Sequence, residues 1–158
     1  MKHLIVLSAV PGAGKSTWAS RYKETHSDAI IVSSDDIRFE LTGQYQDFSK
    51  QKLVWETVSS RVIELSNMNN VTVILDAVID LNYLRKQYAE VEGKDYDKKT
   101  LVVIVKPIET IEKTNKERNV EKWVPDDILV KLYHKFELPT QEIIELYDEY
   151  VFIDKYFE

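Results

Sequence analysis

Five short apolar runs punctuate the chain: HLIVLS (3–8), AIIVS (29–33), VTVILD (71–76), LVVIVK (101–106) and YVFID (150–154). Each is continuous rather than alternating and rich in β-branched residues. That is the pattern of strands covered on both faces of a parallel sheet. The segments between them carry apolar residues at helical spacing. Val54, Val58, Val62 and Leu65 form one stripe, Ile128, Leu132 and Phe136 a second, and Ile143, Tyr147 and Tyr150 a third. Strands alternating with helices predict right-handed βαβ crossovers and a sheet between two helical layers. The expected architecture is α/β, a three-layer sandwich around a five-stranded parallel sheet. It forms one domain over residues 1–158, with no repeat, low-complexity tract or linker.

The junction after the first run adds chemistry to this fold. HLIVLS leads into AVPGAGKST, and a helix is predicted from about Lys15 through WASRYKE. A strand, a Gly-rich turn and a helix in that order make a P-loop. Backbone N–H groups of small residues surround phosphate oxygens there, and the helix N-terminus adds favourable partial charge. The expected phosphate-binding residues are Pro11, Gly12, Ala13, Gly14, Lys15, Ser16 and Thr17. Lys15 would reach the β- and γ-phosphates of ATP, and the Ser16 hydroxyl would ligate Mg²⁺. The pattern G-x-x-x-x-G-K-[ST] is broken only at its first position, Ala9, where a strand end accommodates a methyl group. The plain alternative is a turn that binds nothing, and Gly-Lys-Ser in register behind a buried strand argues against it. No guanine-reading Asn-Lys-x-Asp follows the fourth run, and the chain is short for an oligomeric motor. A small kinase is the leading class.

The second run opens into SSDDIRFEL. Residues just beyond the carboxyl ends of parallel strands face the ligand crevice. Asp35 is placed to accept a hydroxyl proton as the oxygen attacks the γ-phosphate. Arg38, three residues on, shares its side of a starting helix and suits an anionic acceptor. Read alone, the segment is equally a helix cap by Ser34, Asp35 or Asp36 with a solvated arginine. VPGAGKSTWA followed by SSDDIR resembles the kinase domain of phage-type 5′-hydroxyl polynucleotide kinases, within the wider group of small P-loop kinases. The resemblance extends through most of the chain. It implies a P-loop NTPase-type fold with a helical lid, and ATP and Mg²⁺ as the working pair. It also makes Asp35 the general base and Arg38 the contact to the acceptor's phosphate.

Asp76 ends the third run, where a carboxylate commonly sits beside Mg²⁺, directly or through water, opposite the P-loop serine. A turn cap is the alternative, and Asp80 is the weaker candidate. The resemblance also places an Asp here, followed by a short helix with basic residues, for which Arg85 and Lys86 stand. After the fourth run comes IEKTNKERNVEKWVPDDIL. Phosphoryl transfer builds negative charge that a mobile arginine stabilises on closing. By resemblance, Asn115, Arg118 and Val124–Pro125 form a lid over about 111–125. Arg118 matches the second of the lid's two arginines. Thr114 stands in place of the first, with Lys113 or Lys116 as substitutes. The alternative here is an exposed helix carrying a Glu112–Lys116 pair.

Composition alters this picture little. The formal net charge of −6 resides in residues 137–158, and residues 1–136 balance 20 basic against 20 acidic side chains. Net charge therefore excludes no nucleic-acid acceptor. The acidic end reads as a solvated helical face or an oligomer contact. There are no cysteines, and no run approaches the ~20 residues that cross a bilayer, so a cytoplasmic setting without membrane contact is expected. Trp55 and Trp123 are expected in the core before a base-stacking role. His3, His26 and His134 lack metal-ligand spacing. The expected function is transfer of the γ-phosphoryl of ATP to a hydroxyl, foremost the 5′-hydroxyl of a polynucleotide. Lys15, Asp35, Arg38 and Arg118 are its catalytic residues and Ser16 and Asp76 its Mg²⁺ ligands. A separate phosphatase or ligase would be the end-healing partner. The alternatives are a kinase of a nucleoside, sugar or antibiotic, and a non-catalytic ATP-binding module.

Overall fold

The computed structural model describes residues 1–10 and 12–154. Pro11, one of the expected phosphate-binding residues, and residues 155–158 lie outside the described residues. All five apolar runs are strands of one sheet: β1 (Lys2–Ser8), β2 (Ile30–Ser33), β3 (Val71–Asp76), β4 (Lys98–Val105) and β5 (Glu149–Asp154). Their order is β2-β3-β1-β4-β5, and every neighbouring pair is parallel. Successive side chains point to opposite faces. Leu4 and Val6 accordingly join one core, and Ile5 and Leu7 the other. With both faces covered, the strand tolerates no polar alternate position, and the run is continuous.

The helical layers follow the stripes in part. On one face lie α2 (Ser34–Thr42), α3 (Gln51–Leu65), α4 (Asn82–Gln87) and α7 (Gln141–Ile144). Val54, Val58 and Val62 of α3 are fully buried there, each contributing roughly 1.5 kcal/mol or more. On the other face lie α1 (Lys15–Thr25), α5 (Ile108–Glu117) and α6 (Asp126–Lys135), anchored by Ala19, Ile111 and Leu129. A single π-helical turn, Tyr88–Glu92, continues α4.

Two stripes need correction. In α6 Leu129 is the fully buried residue, and Leu132 and the flanking Phe136 pack against the same core, while Ile128 is exposed and lines a cavity. The third stripe is not a helix. α7 is one turn capped by the Thr140 hydroxyl, Tyr147 follows it, and Tyr150 belongs to β5. The acidic segment is therefore a turn and an edge strand. Asp148 there accepts a hydrogen bond from the Lys99 amide at 2.8 Å. Among the described residues no helix is long and apolar enough to cross a membrane.

Candidate active site

Strand order brings the carboxyl ends of β1, β2 and β3 together, and the loop after β1 occupies the crevice between them. The end of β1 is fixed from below. Arg85 is wholly buried and donates to Ser8 Oγ from Nε at 3.0 Å and Nη2 at 2.9 Å, and to Asn82 Oδ1 at 2.7 Å. The Ser8 hydroxyl in turn donates to the Ile79 carbonyl. Arg85 thus ties β1 to α4, and Lys86 is exposed. Gly12 and Gly14 take φ of +86° and +99°, the left-handed region that favours glycine. A Cβ on Gly12 would stand 2.7 Å from the Ile111 carbonyl oxygen, so the loop also packs too closely for alanine. No side chain caps α1, which leaves its first-turn N–H groups for a ligand.

The β1–β3 register sets Leu7 beside Asp76 and so places Asp76 under the start of α1. Its Oδ1 lies 2.9 Å from Lys15 Nζ, and its Oδ2 accepts from Ser16 Oγ at 3.0 Å. Burial opposes ionisation of Asp76. The Lys15 charge, hydrogen bonds from Lys15 and Ser16, and the Arg118 charge outweigh it and hold the carboxyl below its usual range. This ionised carboxylate and the Ser16 hydroxyl are hard oxygen donors that fit Mg²⁺. Among the described residues no three His, Cys, Asp or Glu cluster as a metal cage. Mg²⁺ in kinases ordinarily takes its remaining ligands from substrate phosphates and water.

Asp35 sits in the first turn of α2. The cap is neither Asp35 nor its neighbours: Ser33 Oγ accepts from the Asp36 amide at 3.2 Å. Asp35 is left to face two arginines. Arg38 Nη1 donates to Oδ1 at 2.9 Å, and Arg118 Nη2 approaches Oδ2 at 3.4 Å. Arg38 is buried rather than solvated, with its guanidinium 4.5 Å over the Phe48 ring. Nε and Nη2 donate to Gln51 Oε1 at 3.3 and 3.2 Å, and Nη1 also reaches the Tyr45 carbonyl at 3.4 Å. Of a guanidinium's five N–H donors, one is left for an acceptor.

Arg118 follows α5 in extended conformation, and Asn115 decides where it points. Fully buried, Asn115 donates to the Val124 carbonyl at 2.8 Å and accepts from the Val124 amide at 3.0 Å. Trp123 Nε1 donates to the Arg118 carbonyl at 2.9 Å. Lys116 pairs with Asp126 at 3.5 Å. Asn115→Ala would strand both Val124 groups, and a loss of about 2–4 kcal/mol is expected. Thermal melting checks it, with roughly 2–4 °C lost per kcal/mol in a domain of this size.

These groups open on one cavity of 620 Å³. Gly12, Gly14, Lys15, Ser16, Thr17, Asp35, Arg38 and Arg118 line it. Phe48, Trp55, Tyr83, Asp80 and Lys135 continue the wall past Asp35. Four cationic side chains face it against two carboxylates, in a chain of net charge −6. Gln51, Phe48 and Lys135 went unread in the sequence, because they converge from separate elements and carry no motif. Lys106, whose Nζ would stand 3.2 Å from a Cβ on Gly14, was findable as a strand-end residue. His3, His26 and His134 do not line the cavity.

Comparison with known proteins agrees with this architecture. Kti12 of Chaetomium thermophilum, solved in complex with ADP-AlF3, superposes with a TM-score of 0.72 at 16% identity, covering 96% of this chain and 88% of that one. A chain of the Pnkp1/Rnl/Hen1 RNA repair complex gives 0.68 at 21% identity, over 93% of this chain and 46% of that one. At these identities the likeness speaks for the fold, which is P-loop kinase-like. The L-seryl-tRNA(Sec) kinase of Methanococcus maripaludis is 26% identical over 146 residues, 86% of this chain. The chain spans about half the length of that curated relative (53%). A family model described as chromatin associated protein KTI12 matches residues 2–144, and the chain belongs to the KTI12 family.

Proposed function

We propose that the protein is a phosphotransferase moving the γ-phosphoryl group of ATP to a hydroxyl borne by a nucleic acid, foremost the 5′-hydroxyl of a polynucleotide. The observation that carries this reading is the setting of Asp35. It stands between the P-loop and a chamber walled by a buried arginine, Lys135 and aromatic faces. Cations beside aromatic rings suit phosphate and base together. The curated relative is by name a kinase of a seryl-tRNA, and one structural neighbour belongs to an RNA repair complex. Both support an RNA-borne hydroxyl.

In this reading the loop amides and Lys15 hold the β- and γ-phosphates. Ser16 and Asp76 would hold Mg²⁺, which when bound would offset negative charge on the nucleotide's phosphates. Asp35 accepts the hydroxyl proton as the new O–P bond forms and the β–γ bridge breaks, releasing ADP. Arg38 fixes Asp35 through Oδ1. Arg118 swings about the lid from Oδ2 to the γ-phosphate, which frees that oxygen for the proton.

The test offers γ-labelled ATP and Mg²⁺ with one oligonucleotide bearing a 5′-hydroxyl or a 5′-phosphate, as DNA and RNA, beside a seryl-tRNA. Label is expected on 5′-hydroxyl ends alone. Label on the seryl-tRNA instead would move the acceptor to the aminoacyl group. No label on any nucleic acid, with ATP still bound, would overturn the reading in favour of nucleosides, sugars or antibiotics.

A further inference from the structure

Gln51 opens α3, is half-buried, and lines the cavity together with Asp35, Arg38 and Phe48. Arg38 Nε and Nη2 both donate to its Oε1, at 3.3 and 3.2 Å. A guanidinium only donates, so the amide oxygen must face it and the amide nitrogen must point elsewhere. Among the described residues Gln51 Nε2 has no hydrogen-bond partner, and it is not shut in. The enclosed side-chain atoms without a partner are Gln46 Oε1, Asp80 Oδ2 and Glu92 Oε2, and Gln51 Nε2 is not among them. An accessible nitrogen with N–H donors is thus held in a fixed direction at the cavity wall. Beside it stands the N–H of Arg38 that the protein leaves unused, with the guanidinium charge behind it. Donors cannot take a hydroxyl proton, a task that falls to Asp35. They suit an oxyanion next to that hydroxyl.

Resting on the reading of the acceptor as a polynucleotide 5′ end, we infer that Gln51 binds the phosphate following the first nucleotide and selects acceptors that carry it. That phosphate lies one sugar away from the hydroxyl at Asp35, and a free nucleoside or simple sugar has none. Neighbouring guanidinium and amide N–H groups can each meet one oxygen of the same phosphate, and the arginine's charge strengthens the pair. The residue type matters as much as its place. Glutamate would accept the same two bonds from Arg38, but it would cancel the charge and turn an acceptor toward the anion. Glutamine holds the arginine and leaves its charge to the ligand.

The test measures kcat/KM on the full chain with γ-labelled ATP, Mg²⁺ and two 5′-hydroxyl oligonucleotides. Their first linkage is either the ordinary phosphodiester or an uncharged methylphosphonate. The phosphodiester is expected to lead by about 10-fold or more, mainly through KM, as for hydrogen bonds to a charged group. Gln51→Glu is expected to bring this ratio within about twofold of unity. Gln51→Met, which removes the donors without adding charge, is expected to lower it about threefold or more. A residue that only braced Arg38 would act through Asp35 on the kcat of both oligonucleotides and leave their ratio unchanged. Equal labelling of the two linkages by the unaltered protein overturns the inference, whether or not either variant folds. A ratio that survives either substitution also overturns it. Absence of label on every end overturns the acceptor reading instead, and the inference with it.

Discussion

Arg118→Ala is expected to lower kcat by about 10³–10⁵-fold, the range for losing an arginine that meets transferring phosphoryl charge. The geometry explains why the effect falls on turnover. Arg118 Nη2 lies 3.4 Å from Asp35 and the residue lines the open cavity, so its removal widens that cavity rather than opening a hole in the core. Asn115 and Trp123 hold the backbone around it, and neither bond involves the guanidinium. The fold and nucleotide affinity should therefore persist. Arg118→Lys should recover part of the rate, since a point charge replaces the fork without its paired donors. Single-turnover transfer of labelled phosphate measures it. A fall smaller than tenfold would remove Arg118 from the reaction and leave it as a surface partner of Asp35.

Asp35→Asn is expected to lower kcat by about 10²–10⁴-fold, the usual contribution of a positioned general base. The substitution is nearly isosteric. Asn Oδ1 can still accept from Arg38, and Ser33 rather than Asp35 caps α2, so the helix keeps its start. What disappears is an oxygen able to take a proton. KM for ATP should change little, because Lys15 and the loop amides make the phosphate site independently. Near-normal turnover would show that Asp35 only anchors the two arginines.

Five apolar runs sufficed to place five strands, because burial on both faces forbids the polar alternation that would blur them. The helices were less legible. Ile143, Tyr147 and Tyr150 satisfy helical spacing by coincidence, since Tyr150 pairs in β5 beside Leu101. Ile128 and Leu132 do share a helix face and both line the cavity, yet only Leu132 also packs against the core that Leu129 fills. Within the site, Lys15, Ser16 and Asp76 were readable because one loop and one strand end dictate them. Asp35, Arg38 and Arg118 meet at the cavity. Their supporting partners were hidden: Gln51 comes from α3 and Tyr45 from a loop, and only the folded chain brings them to Arg38. Arg85 was one of two basic residues expected on a short helix after β3, and nothing local indicates that it is buried under the end of β1.

The central position of β1 has a consequence for how the chain is made. Its hydrogen-bonding partners are residues 71–76 on one side and 98–103 on the other. At ordinary elongation rates roughly 5–20 s pass between synthesis of β1 and of β4. Until β3 emerges HLIVLS is an apolar segment with neither edge paired, and until β4 emerges one edge stays open, the kind of segment that associates with other chains or with chaperones. The loop that follows it cannot take its shape before both neighbours arrive. The nucleotide cradle is thus synthesised well before it becomes able to bind.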